Sequence, residues 1–118
     1  MFGQDGYIDE YGVAYRKPSN SWYYGTVKSP LAGQITLKDI LNFRFPDASD
    51  PGYTHGLRER LLLLRRTDYA IVLNLPPAFV ALSQFLRGFD DWFIDLARDQ
   101  KLSCALFDAV VELSLIHI

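Results

Sequence analysis

The residues able to do chemistry on a small molecule are few and lie far apart. Near the N-terminus Asp5, Asp9 and Glu10 alternate with Tyr7, Tyr11 and Tyr15. An ionised carboxylate accepts several hydrogen bonds at once, so this mixture can set an acid against a ring-shaped ligand. The commoner outcome of such a pattern is a ribbon with packed aromatic faces and solvated acids. Asn74 closes an apolar run, Tyr69 to Leu75, and is the one polar residue where ligands approach a parallel sheet, at the carboxyl end of a strand. Asp90 and Asp91 follow Gly88 and read as the acidic start of a helix. Cys104, between Leu102 and Leu106, reads as a small buried hydrophobe rather than a nucleophile.

The familiar local motifs are absent. The sequence holds no G-x-G-x-x-G, P-loop, G-x-S-x-G, H-E-x-x-H or C-x-x-C, which leaves dinucleotide binding, nucleotide hydrolysis, α/β-hydrolase chemistry and a local zinc site without sequence support. With one cysteine in 118 residues no intrachain disulfide forms, and a reducing compartment fits. Twelve basic against fourteen acidic side chains give a net charge of -2 with no long run of either sign, so neither nucleic acid nor a membrane is expected as partner. No apolar stretch reaches the roughly eighteen residues of a membrane span, and no signal-like leader precedes the aromatic segment. The chain is expected to be cytoplasmic.

The elements that must carry these residues fall into two unlike parts, divided near Gly56. At 49% hydrophobic and 22% charged the whole is globular in composition. Up to Gly56 it is aromatic and punctuated by Gly and Pro. There Tyr7–Arg16 reads as a β-ribbon with Gly12 as a bulge or turn, and Trp22–Val27 as an extended piece able to pair with it. Leu37–Leu41 reads as one helical turn, and Phe45–Gly52 as a loop. Beyond it, Leu57, Leu61 and Leu64 mark an amphipathic helix. Tyr69–Leu75, apolar throughout and stopped by Pro76-Pro77, reads as a strand buried on both faces, as in a parallel sheet. Three helices follow, marked by Phe79, Leu82, Leu86 and Phe89, by Trp92, Phe93, Leu96 and Ala97, and by Leu102, Leu106, Val110 and Val111. Helix, strand, helix is the rhythm of an α/β protein.

The last six residues, Leu113-Ser114-Leu115-Ile116-His117-Ile118, interrupt this pattern. They are the translation of CTG TCT CTT ATA CAC ATC, the mosaic end of a transposon sequencing adapter. Residues 113–118 are therefore expected to be a library scar outside fold reasoning, with His117 carrying no function. Residues 1–112 are then expected to be the front piece of a longer gene.

Five blocks in order resemble the uroporphyrinogen decarboxylase superfamily. They are Asp9-Glu10-Tyr11-Gly12-Val13, the loop Phe45–Gly52, the helix Gly56-Leu57-Arg58-Glu59-Arg60, the run Tyr69–Leu73, and Gln84-Phe85-Leu86-Arg87-Gly88-Phe89-Asp90-Asp91-Trp92. The closest likeness is to the branch with a D-E-W-G-V element and a Q-Y-L-R-G-F-E block. The resemblance implies an α/β fold, here a partial (β/α)8 TIM barrel with a β-ribbon excursion near the N-terminus. Members carry helices and a first barrel strand ahead of the D-E-W-G-V element, so Met1 is expected to be internal. The family holds cofactor-free decarboxylases and corrinoid or thiol methyltransferases that bind zinc through later His and Cys residues. No cofactor is expected in this piece, and zinc and corrinoid belong to a methyltransferase-like parent.

The implied substrate is a tetrapyrrole or a methyl donor. Asp9 is the nearest match to the aspartate that orients pyrrole N–H groups in decarboxylases. Gln84 falls where decarboxylases carry a substrate-binding tyrosine, or Phe85 with a one-residue shift; neither has a phenol hydroxyl, so a methyltransferase-like or other branch activity is expected ahead of porphyrin decarboxylation. A rival reading from the residues themselves is a small autonomous binding module with Trp22, Tyr23 and Tyr24 as an aromatic contact surface. Packing separates the two: a module buries the faces of all three C-terminal helices, while a barrel piece leaves strand and helices uncovered.

Overall fold

The structure is a computed structural model that describes residues 6–47, 49–72 and 79–116, with side chains to residue 114. Three short strands, β1 (Gly6–Ile8), β2 (Ala14–Arg16) and β3 (Gly25–Lys28), form an antiparallel sheet in the order β1-β2-β3. Tyr7 faces Tyr15 across the first pair, and Tyr15 faces Thr26 across the second, beside an irregularity between Ala14 and Tyr15. The ribbon turns because Gly12 takes a φ of 82°, a conformation open to a residue without Cβ. There its N–H donates to the Asp9 carbonyl at 3.0 Å.

Five helices follow: α1 (Leu37–Leu41), α2 (Leu57–Leu64) after a 3-10 turn at Pro51–Thr54, α3 (Phe79–Arg87), α4 (Phe89–Arg98) and α5 (Gln100–Ile116). The spacing of Leu102, Leu106, Val110 and Leu113 sets one stripe of α5 inward. That stripe packs against α1, α3 and α4. Val13 from the ribbon, Leu31 from the following loop, Ile40 from α1, Leu82 and Leu86 from α3 and Trp92 from α4 complete the core. Trp92 brings a polar N–H inside, and it donates to Ser83 Oγ at 3.0 Å, which itself donates to the Val80 carbonyl at 2.8 Å. The indole is thereby buried without an orphaned donor.

The barrel expectation is overturned. The sheet is antiparallel and three-stranded, and the described part of the run read as a doubly buried strand, 69–72, is irregular and exposed: Tyr69 is 82% and Val72 85% accessible. Apolar composition makes a strand only where neighbouring strands take up its backbone groups and other layers cover both faces. Among the described residues nothing supplies either. Helix α2 shares this fate, for Leu61 to Leu64 are each at least a third exposed and none of its residues is buried. Residues 113–116 do not interrupt the helical pattern either. Helix α5 runs to Ile116, and Leu113, 6% exposed, belongs to the core, because it falls on the same stripe as Val110 and Leu106.

Candidate functional site

The N-terminal ribbon gathers the carboxylate and tyrosines singled out in the sequence. Asp9 Oδ1 accepts hydrogen bonds from the backbone N–H groups of Tyr11 at 3.0 Å and Val13 at 2.8 Å. Its own N–H donates to the Val13 carbonyl. A short carboxylate side chain that holds the N–H two residues on is a local turn device, so much of its acceptor capacity is spent on the chain itself. Tyr7 stacks on Tyr15 with ring centroids 5.0 Å apart, Tyr24 meets Tyr7 edge-on at 5.2 Å, and Tyr15 meets Phe85 of α3 edge-on at 6.1 Å. Burial, and next the nearby Asp9 carboxylate, hold the Tyr15 phenol well above the ordinary tyrosine value. Tyr11 is raised for the same first reason, with Glu10 second.

Gln84 lies half-buried on α3, next in sequence to Phe85, and its carbonyl accepts from the Gly88 N–H at 2.8 Å. Among the described residues no hydrogen bond joins it to Asp9; the two are linked only through Phe85 and Tyr15. Asn74 lies outside the described residues. Among those described, no three His, Cys, Asp or Glu side chains converge as metal ligands. No helix among them is long and apolar enough to cross a membrane. Cys104 is exposed rather than buried, because it projects from α5 between the inward positions 102 and 106.

The densest polar constellation was not singled out in the sequence. Arg87, at the end of α3 and 5% exposed, directs Nε to Asp95 Oδ2 at 2.6 Å and Nη2 to Asp95 Oδ1 at 3.4 Å. Its Nη1 donates to the carbonyls of Leu31 at 2.6 Å and Gly33 at 2.8 Å, and to Asp91 Oδ2 at 3.2 Å. Asp91 in turn accepts from the Gly33 N–H at 2.6 Å. Asp91 is therefore more than the helix start it resembles, since it joins α4 to a loop 58 residues away in the chain. A signal was present: Arg87, Asp91 and Asp95 repeat every four residues, the spacing of one helix face. The helical run itself breaks at Gly88, whose φ of 86° and ψ of 141° divide α3 from α4.

Each guanidinium nitrogen of Arg87 donates to a carboxylate or a carbonyl, so it serves as a clasp rather than an anion site. The loop Trp22-Tyr23 has the opposite character, with side chains 88% and 81% exposed. It is shaped by Ser21, whose Oγ accepts from the Tyr23 N–H at 3.1 Å. Packing divides along the chain: α3 and α5 bury one face each as a module does, α4 buries Trp92 alone while Phe89 and Phe93 stay half-exposed or more, and α2 and residues 69–72 stay uncovered as in a piece. Comparison with protein-family models, with curated proteins and with solved structures finds no match.

Proposed function

We propose that the chain is a scaffold segment of a cytoplasmic enzyme of the uroporphyrinogen decarboxylase family, and that it has no turnover by itself. The observation that supports this is the uncovered apolar stretch from α2 onward, where Leu62, Leu63, Tyr69 and Val72 are 54, 64, 82 and 85% exposed. Exposed apolar side chains gathered in one stretch of chain fit a face meant for covering. The family reading itself rests on the five ordered sequence blocks. In it the parent acts on a tetrapyrrole or methyl donor, with Asp9 as the hydrogen-bond acceptor that orients the ligand and Gln84 in the substrate wall. Because Gln84 and Phe85 lack a phenol, methyl transfer ranks above porphyrin decarboxylation for the parent, with zinc and corrinoid as its cofactors. Uroporphyrinogen incubated with this chain under reducing conditions should remain unchanged. Coproporphyrinogen formation by the chain would overturn the scaffold reading, and efficient decarboxylation by a longer parent would overturn the preference for methyl transfer.

A second reading is favoured by the Trp22-Tyr23 loop. Two large aromatic side chains held almost wholly in solvent on a shaped turn are the residue types that anchor protein interfaces. In that reading the chain is a binding module whose closed helical half, α3 to α5, presents the ribbon.

A further inference from the structure

We propose that the Trp22-Tyr23 loop and the outer edge of β3 form a docking surface for an acidic, extended polypeptide segment of a partner protein. The proposal rests on the second reading above and names the partner's chemistry. Three independent features meet here. First, β3 has β2 as its only neighbour among the described residues, and all four of its residues, Gly25–Lys28, are exposed. Such an edge presents unpaired backbone donors and acceptors to an incoming strand.

Second, charge is one-sided. Between Glu10 and Asp39 the sequence holds Arg16, Lys17, Lys28 and Lys38 and no carboxylate, in a chain whose net charge is -2. Arg16 and Lys28 sit on β2 and β3, and the ion pairs among the described residues are both made by Arg87. A lysine on an edge strand opposes pairing with neutral or basic strands, but it favours one that carries carboxylates.

Third, the surface is shaped. A groove of about 520 Å³ lies between the end of β2, the residues that follow it and β3, lined by Arg16, Pro18, Ser19, Gly25, Thr26 and Val27, so that β3 borders both the groove and the free edge. The exposed Trp22 and Tyr23 stand at the chain segment that joins its two sides, where an aromatic anchor would be desolvated on binding.

The test titrates the full chain into a fluorescein-labelled peptide of alternating Glu and Val, read by anisotropy. Alternating Ser/Val and Lys/Val peptides, a single-stranded oligouridylate and phosphatidylserine vesicles serve as comparison probes. Saturable binding is expected for the Glu/Val peptide alone, weakening as salt is raised, with slowed amide exchange at residues 25–28. Trp22→Ala, and separately the pair Arg16→Glu and Lys28→Glu, should each weaken it roughly tenfold or more. Equal binding of the Ser/Val peptide with retained dependence on Trp22 would overturn the acidic partner and leave the aromatic surface standing. Glu/Val binding indifferent to Trp22 would overturn both. Binding of the oligouridylate or the vesicles in place of the Glu/Val peptide, or of no probe, would also overturn the proposal. Salt dependence of the unaltered chain decides the charge argument even if the double variant fails to fold.

Discussion

Replacing Asp95 with alanine strands the Arg87 guanidinium, and the geometry sets the cost. The Arg87 side chain is 6% exposed and Asp95 13%, so the charge has little contact with water and depends on its protein partners. Removing one partner of a buried ion pair costs about 3–5 kcal/mol. Asp91, 33% exposed and 3.2 Å from Nη1, together with the Leu31 and Gly33 carbonyls, still neutralises part of the charge, which places Asp95→Ala at the lower end, about 3 kcal/mol. For a domain of this size that is a fall in melting temperature on the order of 10 °C. Arg87→Met strands no buried cation, so the double variant should be more stable than the sum of the two losses predicts, by about 1 kcal/mol or more. Urea unfolding followed by Trp92 fluorescence in a Trp22→Phe background measures all three. A loss below about 1 kcal/mol for Asp95→Ala, or strict additivity in the cycle, would refute the clasp.

Two further outcomes follow from the backbone and from Tyr15. Gly88→Ala should cost roughly 1–3 kcal/mol by the same unfolding assay, because a side chain is forced to a φ of 86° while its Cβ has only ordinary contact, 3.5 Å from Ser29 Oγ; unchanged stability would mean the α3–α4 break relaxes freely. The Tyr15 phenol is raised in the folded chain by burial and the Asp9 carboxylate, so the stability it contributes is complete below the unfolded value of about 10 and is lost as pH rises through the folded value. The unfolding midpoint should therefore fall between about pH 9 and about pH 11, and fall less in Tyr15→Phe. Identical pH profiles for the two proteins would show that the ring is not held as described.

The sequence by itself determined the local elements. The ribbon through Gly12, its pairing with the segment before Lys28, the turn Leu37–Leu41 and the three C-terminal helices all form where their residues indicate. Each is governed by contacts a few residues apart: a positive φ that a glycine tolerates, or a stripe such as Leu102, Leu106 and Val110 that recurs with the helical period. The candidate acid Asp9 was legible in the same way, as a carboxylate among tyrosines. What only the tertiary structure decided depends on groups distant in sequence. The run from Tyr69 is apolar enough for a buried strand, yet burial requires covering layers, and the exposed 69–72 show that composition cannot create them. Leu113 was set aside with the tail and proves to be core, because α5 had three helices to pack against. The Arg87 clasp reaches Leu31 and Gly33 across more than fifty residues. A guanidinium finds backbone carbonyls only once the chain has folded, since carbonyls are everywhere in the sequence and mark no position in it.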